Sequence, residues 1–117
     1  MRIFLVGEGP SPNPALMTGL GRLGFSLENG VLGLHWQDHP ATLRYDAIIL
    51  DLSNLHQTGL DFVAACRSES NNIPILLLTT VDGVQERVRW LDAGVDACLV
   101  KPFDLDEMAA AIRLYRR

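Results

Sequence analysis

Four short apolar runs in this chain each end on residues able to do ionic or polar chemistry. Ile3 to Val6 gives way to Gly7-Glu8, Ala47 to Leu50 to Asp51, Ile75 to Leu78 to Thr79, and Cys98 to Val100 to Lys101. In an open parallel sheet the ligand crevice lies outside the carboxyl ends of the strands. Two carboxylates, a hydroxyl and an ammonium would then converge on one edge, a mixed-charge site suited to a polar ligand. Taken singly, each is more simply a solvated residue closing a strand; the set of four carries the meaning.

Other reactive side chains fit no such set. His35, Trp36 and His39 are close in sequence, but no third ligand has metal-site spacing, so packing or surface is the simpler reading. Cys66 and Cys98 stand 32 residues apart with no C-x-x-C and no Cys/His cluster, so neither a zinc site nor a disulfide framework is suggested and both read most simply as buried thiols. Ten basic against fourteen acidic residues give a net charge of −4. That balance opposes direct nucleic-acid binding, which calls for a basic face.

The elements that must position these residues follow from pattern. At 117 residues, against a prior of roughly 150 per domain, one domain is expected, spanning 1–117. With 48% hydrophobic residues it has enough apolar surface for a stable core. No apolar run approaches the roughly 20 residues of a membrane span, and no signal peptide is visible, so a cytoplasmic domain is expected. Apolar runs alternate with segments of helical period, the signature of βαβ units and a parallel sheet. Asn13 can cap a first helix with Pro14 in its first turn, ending near Leu23-Gly24. Phe25 to Glu28 reads as a short second strand, and Gly30, Gly33 and Pro40 break up the stretch to Arg44. Leu60, Val63, Ala64 and Arg67 fit a helix beginning near Thr58-Gly59. Asp82 with Gln85 has capping-box spacing, and Val84, Val88 and Leu91 then line the expected buried face, leaving Trp90 exposed on an interaction side. Ala93-Gly94 closes that helix. Asp104 with Glu107 repeats the capping pattern before Leu105, Met108, Ala109, Ile112 and Tyr115. The count is five strands and about five helices.

In these stretches the sequence resembles the receiver domain of two-component response regulators, over nearly the whole chain. The stretches that carry it are Tyr45 to Leu52, Gly59-Leu60, Pro74 to Thr80, Leu91 to Ala97, and Val100-Lys101-Pro102-Phe103, with 28 residues from Asp51 to Thr79 and 22 from Thr79 to Lys101. The resemblance implies a flavodoxin-like (βα)5 fold, a doubly wound parallel sheet of order 2-1-3-4-5 between two helix layers. It implies Asp51 as the phosphoacceptor for a sensor histidine kinase, Mg²⁺ held by Glu8, Asp51 and the carbonyl of Ser53, and Lys101 and Thr79 as charge-neutralising and switch residues. Lys101-Pro102 becomes a cis-peptide turn. The protein would be no enzyme in its own right, although it accepts a phosphoryl group and promotes its own phosphorylation and dephosphorylation.

The sequence also departs from the family pattern. Receivers usually carry two adjacent acidic residues after the first strand; here Gly7-Glu8 leaves one carboxylate missing. Cys98 stands three before Lys101, where an aromatic switch residue is common, and Leu55 replaces a usual proline. Lys101 to Glu107 and the closing Arg113 to Arg117 are most similar to receivers of the winged-helix transcription-factor class. Those form homodimers through the fourth helix, fifth strand and fifth helix, which implies cross-pairs of Arg87 with Glu107 and Asp92 with Arg113. A third family pair falls on Ala97 and Ala111, so both partners are absent together. A DNA-binding output domain would lie outside this chain. Two alternatives stay open: a pseudo-receiver that binds partners without phosphate, and a flavodoxin-like flavin or nucleotide binder, which Gly7-Glu8-Gly9-Pro10 disfavours for want of a phosphate cradle.

Overall fold

Strand-length runs of Ile, Leu and Val that are apolar at every position can only be satisfied by cover on both faces, and the fold supplies it. The computed structural model describes residues 1–9, 13–32, 45–54, 56–68, 72–80 and 83–115. Five strands form one parallel sheet: β1 (Arg2–Gly7), β2 (Ser26–Val31), β3 (Ala47–Leu52), β4 (Ile75–Thr79) and β5 (Ala97–Val100), in the order β2-β1-β3-β4-β5. Four helices are described, α1 (Pro14–Arg22), α2 (His56–Ser68), α3 (Val84–Ala93) and α4 (Leu105–Tyr115). The broken stretch with His35, Trp36 and His39 lies outside the described residues, as do Leu55, Asp82 and the two terminal arginines. The expected fourth and fifth helices are thus α3 and α4. The expected strand order is the one found.

Side chains alternate across each strand, so the sheet divides the core in two. Ile48, Leu50, Leu52, Ile75 and Leu77 pack with Phe62, Val63 and Trp90 of α2 and α3. Ala47, Ile49, Leu76, Leu78 and Leu99 pack with Leu16, Leu20, Met108 and Ile112 of α1 and α4.

Local chemistry sets the helix ends. Asn13 Oδ1 accepts the N–H of Leu16 at 3.2 Å, and Pro14 opens α1 where its missing N–H costs nothing. Asp104 Oδ1 likewise accepts the Glu107 N–H at 2.9 Å to start α4. At the end of α3, Gly94 takes φ +120°, a left-handed conformation that a side chain would strain. Helix α3 itself begins after Gly83 with no side-chain cap.

Several expected positions shift. Strand β2 occupies Ser26–Val31 rather than Phe25–Glu28, because its partner is the six-residue β1, which it matches residue for residue from Arg2↔Ser26 to Gly7↔Val31. Strand β3 continues past Asp51 to Leu52, and α2 starts at His56. On α2 the buried residues are Gly59, Phe62, Val63 and Cys66, with Ala64 exposed. On α4, Tyr115 is exposed.

The largest correction concerns α3. Trp90 is 2% exposed, whereas Val84, Val88 and Leu91 are 67%, 49% and 48% exposed, the reverse of the expected faces. An aromatic side chain buries about 150–250 Å², far more than a valine, so the helix rotates to favour its indole. Gly59 provides the place: a Cβ there would lie 2.8 Å from Trp90 Cη2. The absence of that Cβ lets α2 accept the ring.

Candidate functional site

Strand register brings the reactive residues to one edge. Gly7 pairs with Asp51, Asp51 with Leu78, and Thr79 with Val100, immediately before Lys101. The alternation that split the core then sorts them by face. Asp51 follows Ala47 and Ile49 in facing the α1/α4 side, and Lys101 follows Leu99. Across the strand ends Lys101 Nζ meets Asp51 Oδ1 at 2.5 Å and donates to Ser53 Oγ at 3.2 Å. The two charged side chains are only 24% and 15% exposed, and at such sites the effective dielectric is well below that of water.

Glu8 reaches over the same edge. Its Oε1 accepts the backbone N–H of Ser53 at 2.6 Å and of Asn54 at 2.7 Å. Gly7, Glu8, Asp51, Ser53 and Lys101 share the lining of one open cavity of about 300 Å³, together with Asn13, Asn29 and Val31 toward β2. The two asparagines were not anticipated at the site. Asn29 lies inside β2, two residues before its end at Val31, so the rule that picks residues just past each strand passes over it. The Lys101–Pro102 peptide is cis, as expected.

Thr79 and Cys98 stand apart from that cavity's lining. Thr79 is 3% exposed and its carbonyl accepts the Lys101 N–H at 2.8 Å. By the alternation of β4, its side chain shares the face of Ile75 and Leu77. Cys98 packs against the α2/α3 core, half-buried rather than buried. Burial pushes its thiol up from the ordinary range, and the Arg87 guanidinium pulls it partly back. Glu107 and Arg113 lie exposed on α4, Asp92 is exposed on α3, and the Arg113 guanidinium lies 5.9 Å from the centre of the Phe25 ring.

Among the described residues no group of three His, Cys, Asp or Glu side chains could hold a metal. The cavity's donors for a cation are the carboxylates of Glu8 and Asp51 and the neutral oxygens of Ser53, all oxygen. Mg²⁺ is commonly held by one or two carboxylates plus waters and phosphate oxygens, so this donor set fits it. No helix among the described residues is long and apolar enough to cross a membrane.

Comparison with known proteins gives the family of the chain. Residues 17–113 match the response regulator receiver domain family. The chain belongs to that family. As a receiver domain of a two-component response regulator it is 38% identical over 117 residues to the response regulator MprA of Mycobacterium avium and equally to that of Mycobacterium leprae. All of this receiver is covered in each case, but only 51% of the relative, so the chain spans about half the length of the curated relatives it matches. Among solved structures it superposes on the CheY4 chemotaxis response regulator of Vibrio cholerae with a TM-score of 0.80 at 26% identity, covering 97% of both chains. The BeF3-activated N-terminal receiver domain of Klebsiella pneumoniae RstA gives a TM-score of 0.85 at 21% identity, covering 100% of this receiver and 99% of that chain, which bears on the fold alone.

Proposed function

We propose that this receiver domain is switched by phosphorylation of Asp51. The observation that carries the reading is the Lys101–Asp51 pair, at 2.5 Å in an open cavity at the carboxyl edge of the sheet. An Asp51 carboxylate oxygen forms the new O–P bond as the N–P bond to the phosphohistidine of a sensor kinase breaks, and the imidazole departs to be protonated. Little covalent chemistry falls to the protein in such a transfer, so positioning and charge stabilisation dominate. Lys101, already beside the carboxylate, neutralises charge on the phosphoryl oxygens. Glu8, Asp51 and the Ser53 carbonyl would hold Mg²⁺, which would supply further neutralisation. Thr79, at the end of β4, turns its hydroxyl to the phosphoryl group and draws the following loop with it, a local charge event read out on a distant face.

That face comprises α3, β5 and α4. Its exposed Val84, Val88 and Leu91 provide an apolar stripe, and Arg87 with Glu107 and Asp92 with Arg113 provide charge pairs for a symmetric dimer. The MprA relatives are about twice as long as this chain, which leaves room for an output domain, and the resemblance to winged-helix regulators makes a DNA-binding one the further partner, in a cytoplasmic regulator. The domain acts on no diffusible substrate beyond its own phosphoryl donor.

Incubation with a small acyl phosphate and Mg²⁺, followed by intact mass measurement, tests this. One phosphoryl adduct is expected on the wild type and none on Asp51→Asn. An unmodified wild type at every Mg²⁺ concentration, or an adduct that survives Asp51→Asn, overturns it.

A further inference from the structure

The loop after Asp51 is fastened by Glu8, the residue that follows the neighbouring strand β1. Both backbone N–H groups, of Ser53 at 2.6 Å and Asn54 at 2.7 Å, donate to the same Oε1 of Glu8. Hydrogen bonds to a carboxylate are shorter and roughly twice as strong as neutral ones. Ser53 in turn holds its Oγ 3.2 Å from Lys101 Nζ, the ammonium paired with Asp51. One carboxylate therefore sets, through the backbone of two residues, the hydroxyl that orients the ammonium. Gly7, directly beside Asp51 in the register, has no side chain to share this task.

We infer that Glu8 is a positioning residue, a clamp that holds Ser53 and Asn54 and through Ser53 aims Lys101 at Asp51 without needing a cation. The inference rests on reading Asp51 and Lys101 as the phosphoryl site, and it assigns Glu8 a task there beyond metal ligation. Of its two carboxylate oxygens, Oε1 is the one already accepting two backbone N–H groups, so the clamp and a cation held on Oε2 are compatible.

The experiment uses the whole chain in chelator with no phosphoryl donor, so its failure is separable from failure of Asp51 to accept phosphate. Amide hydrogen exchange at Ser53 and Asn54 and the Lys101 ammonium ¹⁵N resonance are compared in wild type, Glu8→Ala and Glu8→Gln. Ile49 and Leu77 amides report that the core is intact. Glu8→Ala is expected to exchange at least about tenfold faster at both loop amides and to shift the Lys101 resonance. Glu8→Gln retains an acceptor oxygen and restores most of both. A residue that serves only as a metal ligand changes neither readout when no cation is present. Equal exchange in wild type and Glu8→Ala, or a glutamine variant as fast as alanine, overturns the clamp. Should Glu8→Ala not fold, scalar coupling across the hydrogen bonds from the Ser53 and Asn54 nitrogens to the Glu8 carboxyl carbon decides on the wild type; its absence at both overturns the inference.

Discussion

Gly7 and Asp51 are paired neighbours on adjacent strands, so whatever side chain stands at position 7 lies directly beside Asp51. A Cβ built on Gly7 meets nothing closer than the Gly9 carbonyl at 3.9 Å, which is ordinary contact. Gly7→Asp therefore fits, and it restores the carboxylate usual for the family. Cation affinity in oxygen sites is tuned by the count of charged ligands, so Mg²⁺ is expected to bind about tenfold more tightly to Gly7→Asp, measured by calorimetric titration. Unchanged affinity would show that position 7 lies out of the cation's reach. Cys98 responds to charge in another way. Burial favours its neutral thiol and Arg87 favours the thiolate, and burial wins. Removing the cation in Arg87→Gln should raise the thiol pKa further, leaving less thiolate at any given pH. Alkylation of Cys98 at a fixed alkaline pH should slow, and the rate-against-pH curve should move to higher pH.

At the scale of elements, α2 and the turn after α3 are tied to the sheet by a polar knot. Arg67 on α2 donates to the Gly94 carbonyl at 2.9 Å, to the Ile73 carbonyl at 2.8 Å and to Asp96 Oδ2 at 2.9 Å, which also accepts the Ile75 N–H at 2.8 Å. The end of α2, the start of β4 and the α3–β5 turn thus meet on a single guanidinium. Truncation leaves partly buried acceptors unsatisfied, so Arg67→Ala should lose about 2–4 kcal/mol in urea unfolding. Gly94→Ala attacks the same knot from the other side. Its φ of +120° is strained for alanine, and the new Cβ would lie 2.7 Å from Arg67 Cγ, so a loss of about 1–3 kcal/mol is expected. Arg67 fitted a helical pattern in the sequence, yet Ile73, Gly94 and Asp96, which it bonds, are 6 to 29 residues away and no local pattern contains them. The caps at Asn13 and Asp104 were legible for the opposite reason: donor and acceptor lie three residues apart.

Across the whole molecule, the side of α3 turned away from the sheet leaves Val84, Val88 and Leu91 in solvent. Replacing one of them with a charge disturbs no core, so Val88→Glu should keep folding stability within about 0.5 kcal/mol. Its effect should fall on association: solution mass in the presence of a phosphoryl mimic should stay monomeric for Val88→Glu while the wild type dimerises. A wild type that remains monomeric with the mimic removes this face as the dimer surface. The five strands, the parallel sheet and the ends at which Glu8, Asp51, Thr79 and Lys101 stand were all determined by the sequence itself, because apolar run length, turn residues and period are local properties of the chain. The face on which each residue acts was decided only by tertiary structure. Register sets Gly7 beside Asp51, and alternation places Asp51 with Lys101 but Cys98 with the opposite core. Trp90 turns inward because Gly59, 31 residues earlier, leaves room for the ring. Glu8 closes on the Ser53 and Asn54 amides because two loops of adjacent strands end side by side. Such contacts depend on which distant surfaces meet, and burial of the larger side chain outweighs any local periodicity that suggests otherwise.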